Sequence, residues 1–311
     1  MTGAPALPSL AVLGSINVDA VLRVRELPAP GETVLATEQH RFLGGKGANQ
    51  AVAAARLGAA VTVVGAVGDD QDGVFAVEEL RRAGVRTEFV ATTPDAPTGT
   101  AAITVDDAGE NAIAVFPGAN ALVALPAALP DTDVLLCQLE VDPALVDAAV
   151  ARSSAFVAVN AAPARHLRRE TLERADLVVV NELEWAALPE IARCRRVVVT
   201  AGSSGASVLE RGRVVAEVPA VPARVRNTVG AGDAFTAAVT IALAAGLPAE
   251  QALRTAARVG AAVVADEASQ PALLAFAEYA EAEPEAEPEP EPEAEPEPEA
   301  DAADAAAAAS V

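Results

Sequence analysis

The chain has 311 residues, 52% hydrophobic but only 3% aromatic, so there is ample length for a core, and that core must be built from Ala, Val and Leu. Of its formal net charge of −22, twelve negative charges and no basic residue lie from Glu281 onward; removing them leaves −10 on the body, an acidic balance that argues against a nucleic-acid ligand. No apolar run reaches the ~18 residues of a membrane span, and MTGAPALPSL lacks the basic start and apolar centre of a secretory signal, so the expected location is the cytoplasm, with no membrane partner.

In chain order, the segments 10–14, 61–68, 133–139, 155–160, 176–181 and 195–200 are short, rich in β-branched residues and nearly free of alternation. Such runs suit strands buried on both faces of a parallel sheet. Between them, 47–59, 73–84 and 143–153 read as helices, which predicts an α/β fold with a doubly wound, mostly parallel sheet. Residues 18–42 and 98–116 instead alternate polar with apolar, the second around a DDAGEN turn, and predict hairpins. They would form a small antiparallel lid over the strand ends, where such folds bind ligands. The expected body covers residues 1–280. From 281 to 311 the Glu/Pro/Ala-rich tail forbids helix and sheet and is expected to be disordered. Cys137 and Cys194 are too few for a disulfide framework and read as buried, inert thiols.

Two stretches carry chemistry. GGKGAN (44–49) holds the one lysine of a chain with 21 arginines. It is not a P-loop, because His40 stands where the first glycine is needed and Gly47 where Ser or Thr is needed. Its glycines let backbone amides approach a ligand, and Lys is a compact charge that reaches one oxygen through a narrow gap. Taken alone, a glycine-rich turn with no ligand explains the stretch equally well. In NTVGAGDAF (227–235), small residues lead into a long apolar helix, so the amides of Val229 to Asp233 cluster at its positive end. That nest suits an anion or a transferring phosphoryl group. Asp233 fits a general base there, and it also fits an ordinary helix cap.

Together these stretches, with SINVD (15–19), CQLE (137–140), NAAPAR (160–165), NELE (181–184) and TAGSSG (200–205) in the same order, resemble the ribokinase family of carbohydrate kinases, also called the PfkB family. The resemblance runs from about Leu10 to Tyr279. It implies ATP-dependent phosphorylation of D-ribose at the 5-hydroxyl. Asn17, Asp19, Gly45, Lys46, Asn49 and Glu140 would hold sugar hydroxyls, and Asp233 would take the proton from the attacking one. The amides of Gly230, Ala231, Gly232 and Asp233 would stabilise the developing charge. Asn181 and Glu184 would orient phosphates and hydrated Mg²⁺, while Thr200, Gly202, Ser203, Gly205 and Gly232 line the nucleotide site. Asn227, Val229, Val263, Asp266 and Ala268 would surround a monovalent cation such as K⁺, and the lid would pair two chains into a homodimer.

Three features depart from the family pattern. Asn227 stands where an acid is usual, Ala268 and Ala272 stand where a Gly and a Ser flank Gln-Pro, and the segment between Glu184 and Thr200 lacks room for one helix. The first two weaken a cation site, and the third leaves part of a sheet face or nucleotide flank open. Two other readings remain at this stage: a kinase for another small sugar or a nucleoside, and a sugar-binding member without turnover.

Overall fold

The computed structural model describes residues 7–108, 110–268 and 270–281; beyond Glu281, the tail expected over 281–311 lies outside the described residues. Strand β1 (Leu10–Leu13) is followed by β2 (Asn17–Arg23), β3 (Glu38–Gly44), helix α1 (Lys46–Arg56), β4 (Val61–Gly68), α2 (Gln71–Arg82), β5 (Arg86–Thr93), β6 (Gly99–Val105) and β7 (Asn111–Phe116). Then come β8 (Val134–Gln138), α3 (Pro143–Arg152), β9 (Phe156–Asn160), α4 (Arg169–Arg174), β10 (Leu177–Asn181), α5 (Glu182–Ala187) and β11 (Arg196–Thr200). The chain closes with β12 (Ala206–Glu210), β13 (Arg213–Val218), α6 (Ala231–Ala244), α7 (Ala249–Val264) and α8 (Phe276–Glu281).

The main sheet has nine strands in the order β13-β12-β11-β10-β9-β8-β1-β4-β5. From β11 to β5 every pair is parallel, and β12 and β13 add an antiparallel edge. Helices cover both faces because successive side chains of each strand point to opposite sides. Leu10 and Val12 of β1 enter one core with α1, α6 and α7, whereas Ala11 and Leu13 enter the other with α3 and α4. Val134 and Leu136 of β8 divide from Leu135 and Cys137 in the same way. Both cysteines are buried and free, and burial pushes the Cys137 thiol up to about 12 and that of Cys194 up to about 11. The short 184–200 segment does cover its sheet face: after α5 a 3-10 turn, Pro189–Arg193, buries Leu188, Ile191 and Cys194 in that second core.

The lid strands form a separate sheet in the order β3-β2-β6-β7. Its outer pairs are antiparallel, as the hairpin reading requires, while the central pair β2–β6 is parallel. That pairing joins two hairpins that are far apart in the sequence.

Strand order reverses at β1, whose neighbours β4 and β8 leave in opposite directions along the sheet. Ligands of open α/β sheets bind outside the carboxyl ends at such a point. Register makes the rim there polar: Gln138 lies beside Asn160, and Asn181 beside Thr200. Among the described residues, no helix is long and apolar enough to cross a membrane.

Candidate active site

Two helices aim their N-termini into this crevice. Helix α1 begins after Gly45, whose φ of 85° places it in the left-handed region, and no side chain of the cap residue closes the helix. Its first amides are satisfied from elsewhere in the chain. Lys46 N donates to Glu140 Oε2 at 2.9 Å, Gly47 N to Ser15 Oγ at 3.3 Å and Ala48 N to the Ser15 carbonyl at 2.9 Å. Ser15 Oγ donates in turn to Glu140 Oε2, at 2.5 Å, so one carboxylate oxygen is fully engaged. A Cβ on Gly47 would lie 2.6 Å from the Gly14 carbonyl carbon, which explains why the approach needs glycine.

Helix α6 begins in the same way, after Gly230 with φ 82°, again without a side-chain cap. Here the amides stay open. Ala231 N reaches the Thr228 carbonyl only at 3.4 Å, and those of Gly232 and Asp233 have no acceptor among the described residues. Asp233 sits in this first turn, 8% exposed. Its Oδ2 accepts from Asn49 Nδ2 and its Oδ1 from Gln50 Nε2, both at 3.0 Å. The structure therefore turns the Asn49 amide towards Asp233, while Asn49 Oδ1 accepts from Gln270 Nε2 at 2.7 Å.

Of the residues expected to hold hydroxyl groups, Asp19, Lys46 and Glu140 gather close to Asp233. Asn17 is buried, with Oδ1 accepting from Asn120 Nδ2 at 2.7 Å. Burial pushes the Asp19 carboxyl up to about 6, aided by Glu140 and Asp233, and its Oδ1 is buried with no partner. The Lys46 ammonium is held above its ordinary value, first by Asp233, against the cost of burial, and further by Glu140 and Glu184. One cation among four carboxylates is the charge balance of a site that gathers polar ligands.

Beside Gly232 lies a cleft of about 690 Å³ lined by Thr200, Gly202, Ser203, Gly205 and Gly232 together with apolar residues including Phe235. Val221, Val225, Ala261 and Val264 belong to that wall and went unread in the sequence, because small apolar residues look the same in a pocket as in a core. Asn181 and Glu184 form a capping box at the start of α5, Asn181 N donating to Glu184 Oε2 at 2.9 Å and Glu184 N to Asn181 Oδ1 at 2.8 Å. Burial raises the Glu184 carboxyl, the Asn181 amide and Lys46 oppose this, and Asp233 adds to it.

The residues expected around a monovalent cation lie in the loop before α6 and at the end of α7 with the loop after it, and their polar groups are already engaged. Asn227 Oδ1 accepts from Val229 N at 2.9 Å and Nδ2 donates to the Glu267 carbonyl at 3.0 Å. The Val263 carbonyl accepts from Asp266 N at 3.1 Å, and Asp266 Oδ1 from Ala268 N at 2.8 Å. The Asn227 amide, already bonded to Val229 and to the Glu267 carbonyl, brings a dipole where an acid would bring a full charge, so these residues fit a monovalent cation poorly.

Sequence reasoning missed the supporting amides: Gln50, Gln138 and Asn160 behind Asp233, Gln270 behind Asn49, and Asn120 behind Asn17. Gln138, Asn160 and Gln270 lie within stretches already singled out, CQLE, NAAPAR and the Gln-Pro loop, and Gln50 directly follows GGKGAN. Asn120 carries no local signal, because the lid fold alone brings it to Asn17.

The pfkB family carbohydrate kinase model matches residues 7–275. A ribokinase of Bacillus subtilis is 38% identical over 268 residues, covering 80% of this chain and 90% of that protein. One from Lactococcus lactis is 36% identical, covering 80% and 88%. The structure of Arabidopsis thaliana ribokinase complexed with ribose and ATP superposes with a TM-score of 0.79 at 27% identity, over 89% of this chain and all of that one. The chain belongs to the pfkB family of carbohydrate kinases.

Proposed function

We propose that this protein is a ribokinase, transferring the γ-phosphoryl group of ATP to the 5-hydroxyl of D-ribose. One observation carries the reading: Asp233, clamped by two amides, stands at the open N-terminus of α6, between the polar pocket of Asn17, Asp19, Lys46 and Glu140 and the nucleotide-sized cleft. The ribokinase relatives support the choice of sugar, and the Arabidopsis complex supports ribose and ATP as the ligand pair.

The residues divide the work. Asn17, Asp19, Gly45, Lys46, Asn49 and Glu140 hold the sugar. The Asp19 oxygen left without a partner in a buried setting accepts a ribose hydroxyl, as does the Glu140 oxygen not engaged by Ser15 and Lys46. Asp233 accepts the proton of the primary hydroxyl while its oxygen bonds to the γ-phosphorus; the bond from that phosphorus to the bridging oxygen breaks and ADP leaves. The amides of Gly230 to Asp233, with the helix dipole behind them, stabilise the charge spreading over the phosphoryl oxygens.

Mg²⁺ fits the site in hydrated form. Among the described residues there is no cluster of three or more His, Cys, Asp or Glu able to hold a metal ion, and a cation that keeps its waters needs none. Asn181 and Glu184 would hold its waters, the half-buried Glu184 carboxylate supplying charge, and the ion would neutralise the phosphates when bound. No step runs through K⁺, for the reason given by Asn227.

The domain reading is a kinase body to residue 280 with an acidic tail after it. A homodimer through the lid is supported by the face of that sheet that carries Asp19: by register Phe42, Ile113 and Val115 share it, 40%, 55% and 56% exposed. An ADP-release assay over pentoses, hexoses and nucleosides tests the function. Ribose should give the highest kcat/KM by a wide margin; preference for a nucleoside or a hexose would replace ribose as the substrate, and no turnover with any acceptor would favour a binding protein.

A further inference from the structure

Gln50 follows the glycine-rich motif on α1 and is fully buried, so it cannot touch a substrate. Both ends of its amide are nonetheless committed. Oε1 accepts from Gln138 Nε2 at 2.9 Å, while Nε2 donates to Asn160 Oδ1 at 2.9 Å and to Asp233 Oδ1 at 3.0 Å. Asn160 Nδ2 donates to the Val179 carbonyl at 3.0 Å. That main-chain oxygen can only accept, so it fixes which way the Asn160 amide points, and Asn160 in turn fixes Gln50. Gln138 and Asn160 are register partners on β8 and β9, so the rim of the main sheet is the rigid base of the chain of bonds.

We propose that Gln50, oriented by Gln138 and Asn160, is a positioning residue for Asp233; the inference rests on the reading of Asp233 as the base. Three buried amides are an expensive way to fill a core made of Val, Ala and Leu, and Gln138 Oε1 remains buried with no partner at all. The return lies at Asp233. Gln50 and Asn49 each donate to a different oxygen of one carboxylate, which stops its rotation. The lone pairs left over are then the ones open to a hydroxyl that arrives at the first turn of α6, where Asp233 sits. Hydrogen bonds to an ionised carboxylate are about twice as strong as neutral ones, so two donors hold this orientation firmly. Gln50 differs from Asn49 in being sealed from the pocket, so its contribution reaches the chemistry only through the carboxylate.

Four forms of the full chain test this: Gln50→Met, Gln138→Met, the double variant and Asp233→Asn, each assayed for kcat, KM for ribose and ATP, ribose affinity by calorimetry, and Tm. Gln50→Met should lower kcat by ~10–100-fold with both KM values within about threefold of the starting protein. Gln138→Met should lower kcat by about 3–10-fold with the same split, and the double variant should be no slower than Gln50→Met, because Gln138 acts through Gln50. Unchanged kcat in Gln50→Met, with Asp233→Asn inactive, would overturn the positioning role and leave the base intact. Losses that add in the double variant, or that appear in KM and ribose affinity, would also overturn it by showing a purely structural effect. If Gln50→Met does not fold, an unchanged kcat in Gln138→Met overturns it on its own. Turnover above a tenth in Asp233→Asn would refute the base reading itself, and the positioning role with it.

Discussion

Helices α1 and α6 enter the crevice with the same local geometry and put it to different use. Each begins after a left-handed glycine, and neither has a side-chain cap. At α1 the protein supplies its own anion: Glu140 and Ser15 take the first amides, and the dipole fixes the carboxylate proposed to hold the sugar. At α6 the amides of Gly232 and Asp233 are left for a ligand. On the proposed reading the filled N-terminus is a scaffold and the open one a binding site, although the two sequences, GGKGAN and TVGAGD, look like variants of one theme.

The sharpest way to break this contrast is Asp233→Asn. Losing the base at the open end should cost ~10²-fold or more in kcat, with ribose affinity largely kept; a rapid quench assay of phosphoryl transfer reads it. At the filled end, Glu140→Gln should do the reverse, raising the ribose KM by ~10–100-fold and changing kcat only a few-fold, since a charge-assisted contact to substrate is lost before the chemistry. A kcat defect equal to that of Asp233→Asn would erase the distinction between the two ends.

Asp19 sharpens it through stability. Its carboxyl is raised from 3.8 to about 6, so over that window the folded protein keeps a proton that the unfolded chain has lost. Stability therefore falls as pH rises through the window, and the penalty is fully present above it. Asp19→Asn should raise Tm at pH 7.5, by an effect on the order of 2 kcal/mol, and give no gain below pH 4, while weakening ribose binding. Differential scanning calorimetry of the ligand-free forms at both pH values decides this, and equal Tm at pH 7.5 would contradict it. The smallest effect concerns Asn227, whose amide already links Val229 and Glu267. The protein should respond to K⁺ weakly, and Asn227→Asp should increase the response; many-fold activation of the unaltered protein by low K⁺ in a titration at fixed ionic strength would show that the loops open to admit the ion.

Much of this was legible because the decisive signals are local. The β-branched runs, from LAVL at β1 to RVVVT at β11, are strands because both their faces are buried, and that leaves no alternation to confuse. GGKGAN and GAGD announce helix starts through glycine. What the residues could not announce was which start would be filled, because Glu140 lies 94 residues from the Lys46 amide it accepts from. The Gln138–Gln50–Asn160 relay was hidden for the same reason: its members come from β8, α1 and β9 and meet only once the sheet has formed. Asn181 and Glu184 read from the resemblance as phosphate and Mg²⁺ residues, and their spacing of three is also that of the capping box they form.

The central contrast can be watched directly in the backbone. Amide proton–nitrogen spectra of the ¹⁵N-labelled protein, recorded with ribose alone and then with a non-hydrolysable ATP analogue and Mg²⁺, report on both helix starts at once. The account predicts that the analogue moves the signals of Gly232 and Asp233 and leaves Lys46 and Gly47, whose amides are already bonded, nearly still. An analogue that shifts Lys46 and Gly47 while Gly232 and Asp233 stay in place would contradict it.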